Sequence, residues 1–170
     1  MRGPSLALLA FALLGSASCR IEDRTPAGTR RDEDAVQALV ARYARSLSQR
    51  DWTDVRRLFW RDGNYSGPLI PRSVGDALPI DSALAVIART VENGDPAAFD
   101  VRVLRTDFRQ DGDLAAVWLT LRRRMALPGG VGPSERDYVE HLVVRRIGGE
   151  WRILSVAGSS VPRGSPRDAR

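Results

Sequence analysis

The apolar positions of the first half of the chain recur with the period of an α-helix. From Ala35 onward they fall three or four residues apart and predict one helix ending near residues 48–50. Asp51 is a predicted N-cap for a second short helix, and Asp81 for a third over about Ser82–Val91. The apolar positions of the first helix are Val36, Leu39, Val40, Tyr43 and Leu47.

The second half alternates between apolar and polar residues, as half-buried strands do. The turn pairs Asp111-Gly112 and Gly148-Gly149 join strands into a meander. We also expect a short strand at 64–66, preceded by a turn at Asp62-Gly63 and followed by a loop over 67–79. The fold class is therefore α+β, a cone-shaped roll of a curved, mostly antiparallel sheet wrapped by three N-terminal helices. Its inner side is a natural pocket. The predicted long strands are 99–108, 114–125, 135–146 and 151–157.

Residues 1–19 have the pattern of a secretory signal. Arg2 precedes the apolar run Leu6–Leu14, which is too short for a bilayer core that needs about 20 residues. Small residues then lead to Cys19, which resembles a bacterial lipoprotein signal and implies export with a lipid anchor on Cys19, at the periplasmic or the cell surface. Ser16 stands where that pattern prefers leucine. The alternative is cleavage nearby, which gives a secreted protein with an incidental cysteine.

The remaining chain divides into a polar flexible tether (20–31), one domain (32–158) and a disordered tail (159–170). Its 43% hydrophobic and 28% charged residues are typical of a globular protein. The net charge is +5, and all 26 basic residues are arginine without a dense basic stripe, so we expect no nucleic-acid binding. One cysteine and one histidine exclude an internal disulfide and a Cys/His zinc site. We expect no metal and no cofactor.

The order of elements resembles the nuclear transport factor 2-like superfamily, also called SnoaL-like or ketosteroid-isomerase-like. The resemblance covers most of the domain and implies the cone fold. The superfamily includes isomerases, dehydratases, cyclases, epoxide hydrolases and members without known chemistry. The residues that carry the resemblance are Arg42-Tyr43, Leu47, Asp51, Leu58-Phe59, Asp62, Pro68, Glu140-His141-Leu142 and Trp151 after a glycine turn.

The resemblance implies roles for three positions. Tyr43 matches the tyrosine that hydrogen-bonds a developing oxyanion, and Glu140 matches a protonated acid paired with it. The carboxylate base of the isomerases is replaced by Gly67, so ketosteroid isomerase activity is not expected. Two hypotheses remain: non-catalytic binding of a small apolar molecule or a protein partner, or an isomerase-, dehydratase- or cyclase-type enzyme with an unrecognised base such as Asp62 or Asp81. Tyr43 also has a simpler interpretation as core packing.

Further candidates for the pocket are aromatic or charged. We expect Glu140, if it points inward, to be ionised and paired with an arginine such as Arg122 or Arg124. His141 should point to the opposite face of its strand. A homodimer through the outer face of the sheet is also expected of this fold. The full set of pocket candidates is Tyr43, Trp52, Phe59, Trp60, Tyr65, Trp118, Arg122 and Glu140.

Overall fold

The computed structural model describes residues 30–70, 77–126, 129 and 131–161. The predicted signal, Cys19 and most of the predicted tether lie outside the described residues. Three helices occupy the N-terminal half, as predicted: α1 (Arg30–Gln49), α2 (Trp52–Leu58) and α3 (Ile80–Glu92). The side chain of Asp51 accepts a hydrogen bond from the Asp54 N–H and caps α2.

The six strands form one mixed sheet. They are β1 (Phe59–Ser66), β2 (Leu78–Pro79), β3 (Asp95–Asp111), β4 (Leu114–Ala126), β5 (Ser134–Ile147) and β6 (Glu150–Ser160), in the order β2-β1-β6-β5-β4-β3. The predicted antiparallel meander is β3 to β6. Strand β1 pairs with β6 in parallel, and β2 closes the other edge of β1. The predicted α+β class and the curved sheet with three helices are confirmed.

Several predicted boundaries are wrong. Helix α1 begins at Arg30, inside the predicted tether, since acidic residues in its first turn interact favourably with the helix dipole. Asp81 lies in the first turn of α3 and does not cap it; the N-cap is Pro79, without a side-chain hydrogen bond. Strand β6 continues to Ser160, so the predicted tail begins too early.

The segment around Asp62-Gly63 is part of β1 and not a turn. Phe59 is the first residue of this strand. A register shift against β6 between Phe59 and Asn64 accommodates the intervening residues. Two residues of the predicted loop, Leu78 and Pro79, form β2.

The core lies between the helices and the inner face of the sheet. Helix α1 packs against β3 and β6, and α3 packs against β1 and β3. On β4, Val117, Leu119 and Leu121 point inward and are buried, whereas Trp118 points outward and is 39% exposed. This alternation defines an inner face that carries the candidate site and an outer face without helices.

Candidate functional site

A buried glutamate flanked by two tyrosines lies at the centre of the inner face. Glu140 on β5 is 2% exposed. The Tyr43 hydroxyl on α1 donates to its Oε2 at 3.1 Å. The Tyr65 hydroxyl on β1 donates to its Oε1 at 3.1 Å. Three elements distant in sequence therefore meet at one carboxyl group, and each of its oxygens accepts a hydrogen bond from a tyrosine hydroxyl.

Local packing fixes the positions of these side chains. Tyr43 continues the apolar face of α1, and its ring meets the ring of Phe59 edge-on, with centroids 6.3 Å apart. On β6, Gly158 faces the glutamate: an ideal Cβ there would lie 3.0 Å from the Cγ of Glu140. The backbone of β6 therefore approaches the carboxyl side chain more closely than a larger residue allows.

The position of the isomerase base is filled by a tyrosine. An ideal Cβ on Gly67 would lie 2.7 Å from the hydroxyl oxygen of Tyr65, closer than Cβ atoms approach other atoms. The ring of Tyr65 thus occupies the space into which a side chain at position 67 would project. The isomerase base is therefore absent from position 67, and the packing of Tyr65 leaves no room for a side chain there.

Neither substitute base reaches the site. Asp62 is exposed and forms an ion pair with Arg61 at 3.1 Å. Asp81, also exposed, pairs with Arg56 on the neighbouring helix. The structure therefore gives no support to Asp62 or Asp81 as the base of the enzyme hypothesis.

Burial dominates the electrostatics of the cluster. Desolvation raises the pKa of the Glu140 carboxyl, opposed by the positive charge of Arg123 and by the two tyrosine hydrogen bonds. Desolvation and the neighbouring Glu140 raise the pKa of Tyr43 and of Tyr65 well above the ordinary value of 10.0. Both phenols therefore remain protonated donors at neutral pH.

The arginine that faces inward is Arg123, not Arg122 or Arg124. It is 5% exposed and lies on the same face of β4 as the buried residues Leu119 and Leu121. Its guanidinium carbon lies 3.8 Å from the centroid of the Tyr138 ring. Arg123 and Tyr138 are not among the candidates named from the sequence. The alternation of Leu119 and Leu121 along β4 nevertheless continues to Arg123 and indicates that it points inward.

The predicted pairing of Glu140 with Arg122 or Arg124 is wrong. Arg122 lies on the outer face and pairs with Asp137, with nitrogen and oxygen 2.8 Å apart. Arg124 is exposed. Among the residues that the structure describes, Glu140 forms no ion pair within 4.0 Å, and its oxygens are instead occupied by tyrosine hydroxyls.

The aromatic candidates separate into two groups. Tyr43, Phe59 and Tyr65 are buried in the core, and Trp52 packs at its margin with its ring centroid 6.3 Å from that of Phe99. Trp60 and Trp118 lie outside the cone and do not reach Glu140.

Both outer tryptophans have identifiable neighbours. Trp118 stacks on His141, with ring centroids 4.8 Å apart, so His141 faces outward as predicted. Trp60 lines an open outer groove of about 640 Å³ together with Val143 and Leu154. This groove is called the outer groove below.

The described residues contain no group of three or more His, Cys, Asp or Glu side chains that could hold a metal ion. None of the three helices has the length and apolar character that a membrane crossing requires.

The chain belongs to the SnoaL-like domain family, because the model of that family matches residues 29–157. A comparison with curated protein sequences gives no match.

Solved structures with this fold resemble the chain at low sequence identity. A ketosteroid isomerase-like protein from Erwinia carotovora is 17% identical, with a TM-score of 0.61, and the match covers 78% of this chain and 98% of that one. A putative dehydratase of the nuclear transport factor 2-like family from Streptomyces avermitilis is 17% identical, with a TM-score of 0.64 and coverage of 78% and 98%. A hexachlorocyclohexane dehydrochlorinase from Novosphingobium barchaimii is 13% identical, with a TM-score of 0.66 and coverage of 78% and 88%. These similarities establish the fold.

Proposed function

We propose that this chain is a non-catalytic binding domain that holds a small, largely apolar molecule inside its cone. One observation carries the proposal: the Tyr65 ring fills the space of the missing base at Gly67. Proton abstraction needs a free base within hydrogen-bond reach of the substrate. Both oxygens of Glu140 instead accept tyrosine hydroxyls.

The buried charges support binding rather than a purely structural core. Arg123 and Glu140 are the charged residues among the buried polar side chains of the described chain. Apolar side chains of similar volume often stabilise a fold as well as a buried charged pair, or better. We therefore interpret these two charges as part of a recognition site.

A second candidate function is an enzyme of the isomerase, dehydratase or cyclase type. The specific observation in its favour is a carboxyl group with a raised pKa beside two protonated phenols, Tyr43 and Tyr65. Structural neighbours include a putative dehydratase and a dehydrochlorinase. In this mechanism Glu140 itself would have to leave its two hydrogen bonds to act as the base.

A neutral fluorescent dye tests where an apolar molecule binds. We expect Nile red to show saturable binding to the full chain. The outer-face variants Trp118→Ala and Leu154→Ser serve as matched controls and should bind the dye equally well, since both residues lie outside the cone. Loss of binding in either variant would move the site to the outer face and contradict the proposal.

A turnover assay distinguishes the two candidate functions. The full chain is incubated with a β,γ-unsaturated ketosteroid, and formation of the conjugated enone is followed by ultraviolet absorbance. We expect the rate of the buffer alone. Turnover that disappears in both Tyr43→Phe and Glu140→Gln would favour the enzyme.

We also propose that the domain is exported and held at a membrane through a lipid on Cys19. The support is the sequence alone: an apolar run of signal-peptide length followed by small residues and the lone cysteine.

A further inference from the structure

The side chain of Arg123 is buried, with 5% exposure, and its Nε has no hydrogen-bond partner among the residues that the structure describes. The contact found for the guanidinium among the described residues is the face of the Tyr138 ring, 3.8 Å from Cζ. A buried N–H donor without a hydrogen-bond partner is unfavourable, so a ligand that accepts a hydrogen bond from this nitrogen would complete the arrangement.

Glu140 is not a hydrogen-bond partner of Arg123 in the described part of the chain. Its Oε1 and Oε2 accept the hydroxyls of Tyr65 and Tyr43, and it forms no ion pair with Arg123 in the described part of the chain. The positive charge of Arg123 still acts on Glu140 through space, because it lowers the pKa of that carboxyl against the effect of burial. The N–H donors of the guanidinium therefore remain available to a ligand.

We propose that Arg123 binds the carboxylate of a small apolar acid inside the cone, with the ring of Tyr138 holding the guanidinium in place. This inference rests on the proposed function, since it names the ligand class of the same interior. A guanidinium presents its donors as a planar fork that matches the two oxygens of a carboxylate. Val101 across the sheet on β3 and Leu121 along β4 are buried and apolar, which suits an apolar body, whereas the neighbour of Arg123 on β5 is the exposed Arg136.

Binding of such an anion is coupled to protonation of Glu140. A carboxylate beside Arg123 neutralises the charge that lowers the pKa of Glu140 and adds a like charge, so the pKa rises further on binding. The other groups facing Glu140 are Tyr43 on α1 and Tyr65 on β1, whereas β6 contributes the uncharged Gly158. The ligand therefore binds more tightly as the pH falls towards the pKa of its own carboxyl.

Isothermal titration of the full chain with octanoate tests the inference, with octanol as the uncharged probe of the same chain length. We expect octanoate to bind at least about tenfold more tightly than octanol, in keeping with a charge-assisted hydrogen bond. Arg123→Met should weaken octanoate by about tenfold to a hundredfold and leave octanol unchanged. Titrations in buffers with different ionisation heats should show proton uptake that disappears in Glu140→Gln.

Each outcome is decisive. Equal affinity for octanoate and octanol overturns the role of Arg123 but leaves an apolar site in the cone. Nile red binding without octanoate binding also overturns it, whereas failure of both probes contradicts the proposed function as well. Inorganic phosphate that binds as tightly as octanoate overturns the assignment to an apolar acid.

A measurement on the wild-type chain avoids dependence on a variant that fails to fold. In ¹⁵N-labelled protein the Nε–H resonance of Arg123 should shift on addition of octanoate and stay in place with octanol. An unchanged resonance at saturating octanoate would overturn the inference.

Discussion

Replacement of Glu140 by alanine tests the buried tyrosine–glutamate cluster most directly. The substitution removes the acceptor for the hydroxyls of Tyr43 and Tyr65, both of which are almost fully buried. A buried polar group left without a partner is unfavourable by about 1 to 3 kcal/mol. Two such hydroxyls lose their acceptor at once, and the negative charge that acts on Arg123 through space is lost with it. We expect Glu140→Ala to lower the free energy of unfolding by about 3 to 5 kcal/mol.

Urea denaturation followed by circular dichroism measures this change. At a slope of about 2 kcal/mol per molar urea, the midpoint should fall by about 2 M. Glu140→Gln keeps the volume and one acceptor, so its effect should be smaller, about 1 to 2 kcal/mol. Asp137→Ala is the matched control on the outer face of the same strand, where a surface ion pair contributes under about 1 kcal/mol.

A double variant separates the hydroxyl contribution from the charge contribution. Adding Arg123→Met to Glu140→Ala removes both buried charges, so the double variant should be more stable than the sum of the single effects indicates. A loss below about 1 kcal/mol for Glu140→Ala would refute the reasoning, because the carboxyl would then be neither a necessary acceptor nor the balance for Arg123.

Four further predictions follow from the sequence and the structure. Because the folded-state pKa of Glu140 is raised from 4.5, its contribution to stability is present below that value and is lost as pH rises through the folded pKa; urea melts at a series of pH values should therefore show that wild type loses stability relative to Glu140→Gln as the pH rises above 4.5, and parallel curves would contradict this. Gly67→Ala should destabilise the fold by about 1 to 3 kcal/mol in thermal melts, because its Cβ would meet the ring of Tyr65; an unchanged melting temperature would argue against close packing there. Cys19→Ala should release the protein from bacterial membranes on fractionation, and equal membrane retention of the two forms would exclude lipidation. Light scattering on the full chain should show a dimer that Trp118→Glu converts to monomers, since Trp118 is exposed on the outer face; a monomeric wild type would contradict the outer-face dimer.

Most of the fold could be predicted from the sequence because its signals are local and repeated. The five apolar positions from Val36 to Leu47 place one face of α1 in the core, and all five are buried. The meander is equally readable from alternation and glycine turns. Strand β2 could not be predicted in this way, because a strand of two residues is too short to show an alternating pattern. The parallel pairing of β1 with β6 joins segments so distant in sequence that no local pattern indicates it.

The site was predictable only in part, for a reason visible on β4. The run Arg122 to Arg124 has one member on the inner face, and the phase of the strand decides which one. Trp118 is a large apolar residue on the outer face. It makes the apolar–polar alternation harder to see in the sequence, because it is as apolar as the inward-facing Leu119 and Leu121. The register of Glu140 opposite Leu119 resolves the phase and places Arg123 inside.

The parallel pairing of β1 with β6 governs when the domain can fold during synthesis. Phe59 pairs with Ile153 and Tyr65 with Val156, so β1 gains its partner strand β6 only after roughly ninety further residues have been made. Until then α1 can pack against β3, and β1 against α3, but β1 lacks its parallel partner in the sheet. Such non-local pairing slows folding, since a long loop must close before its contacts form. A nascent chain with this topology therefore cannot complete its sheet until its final strand has been synthesised.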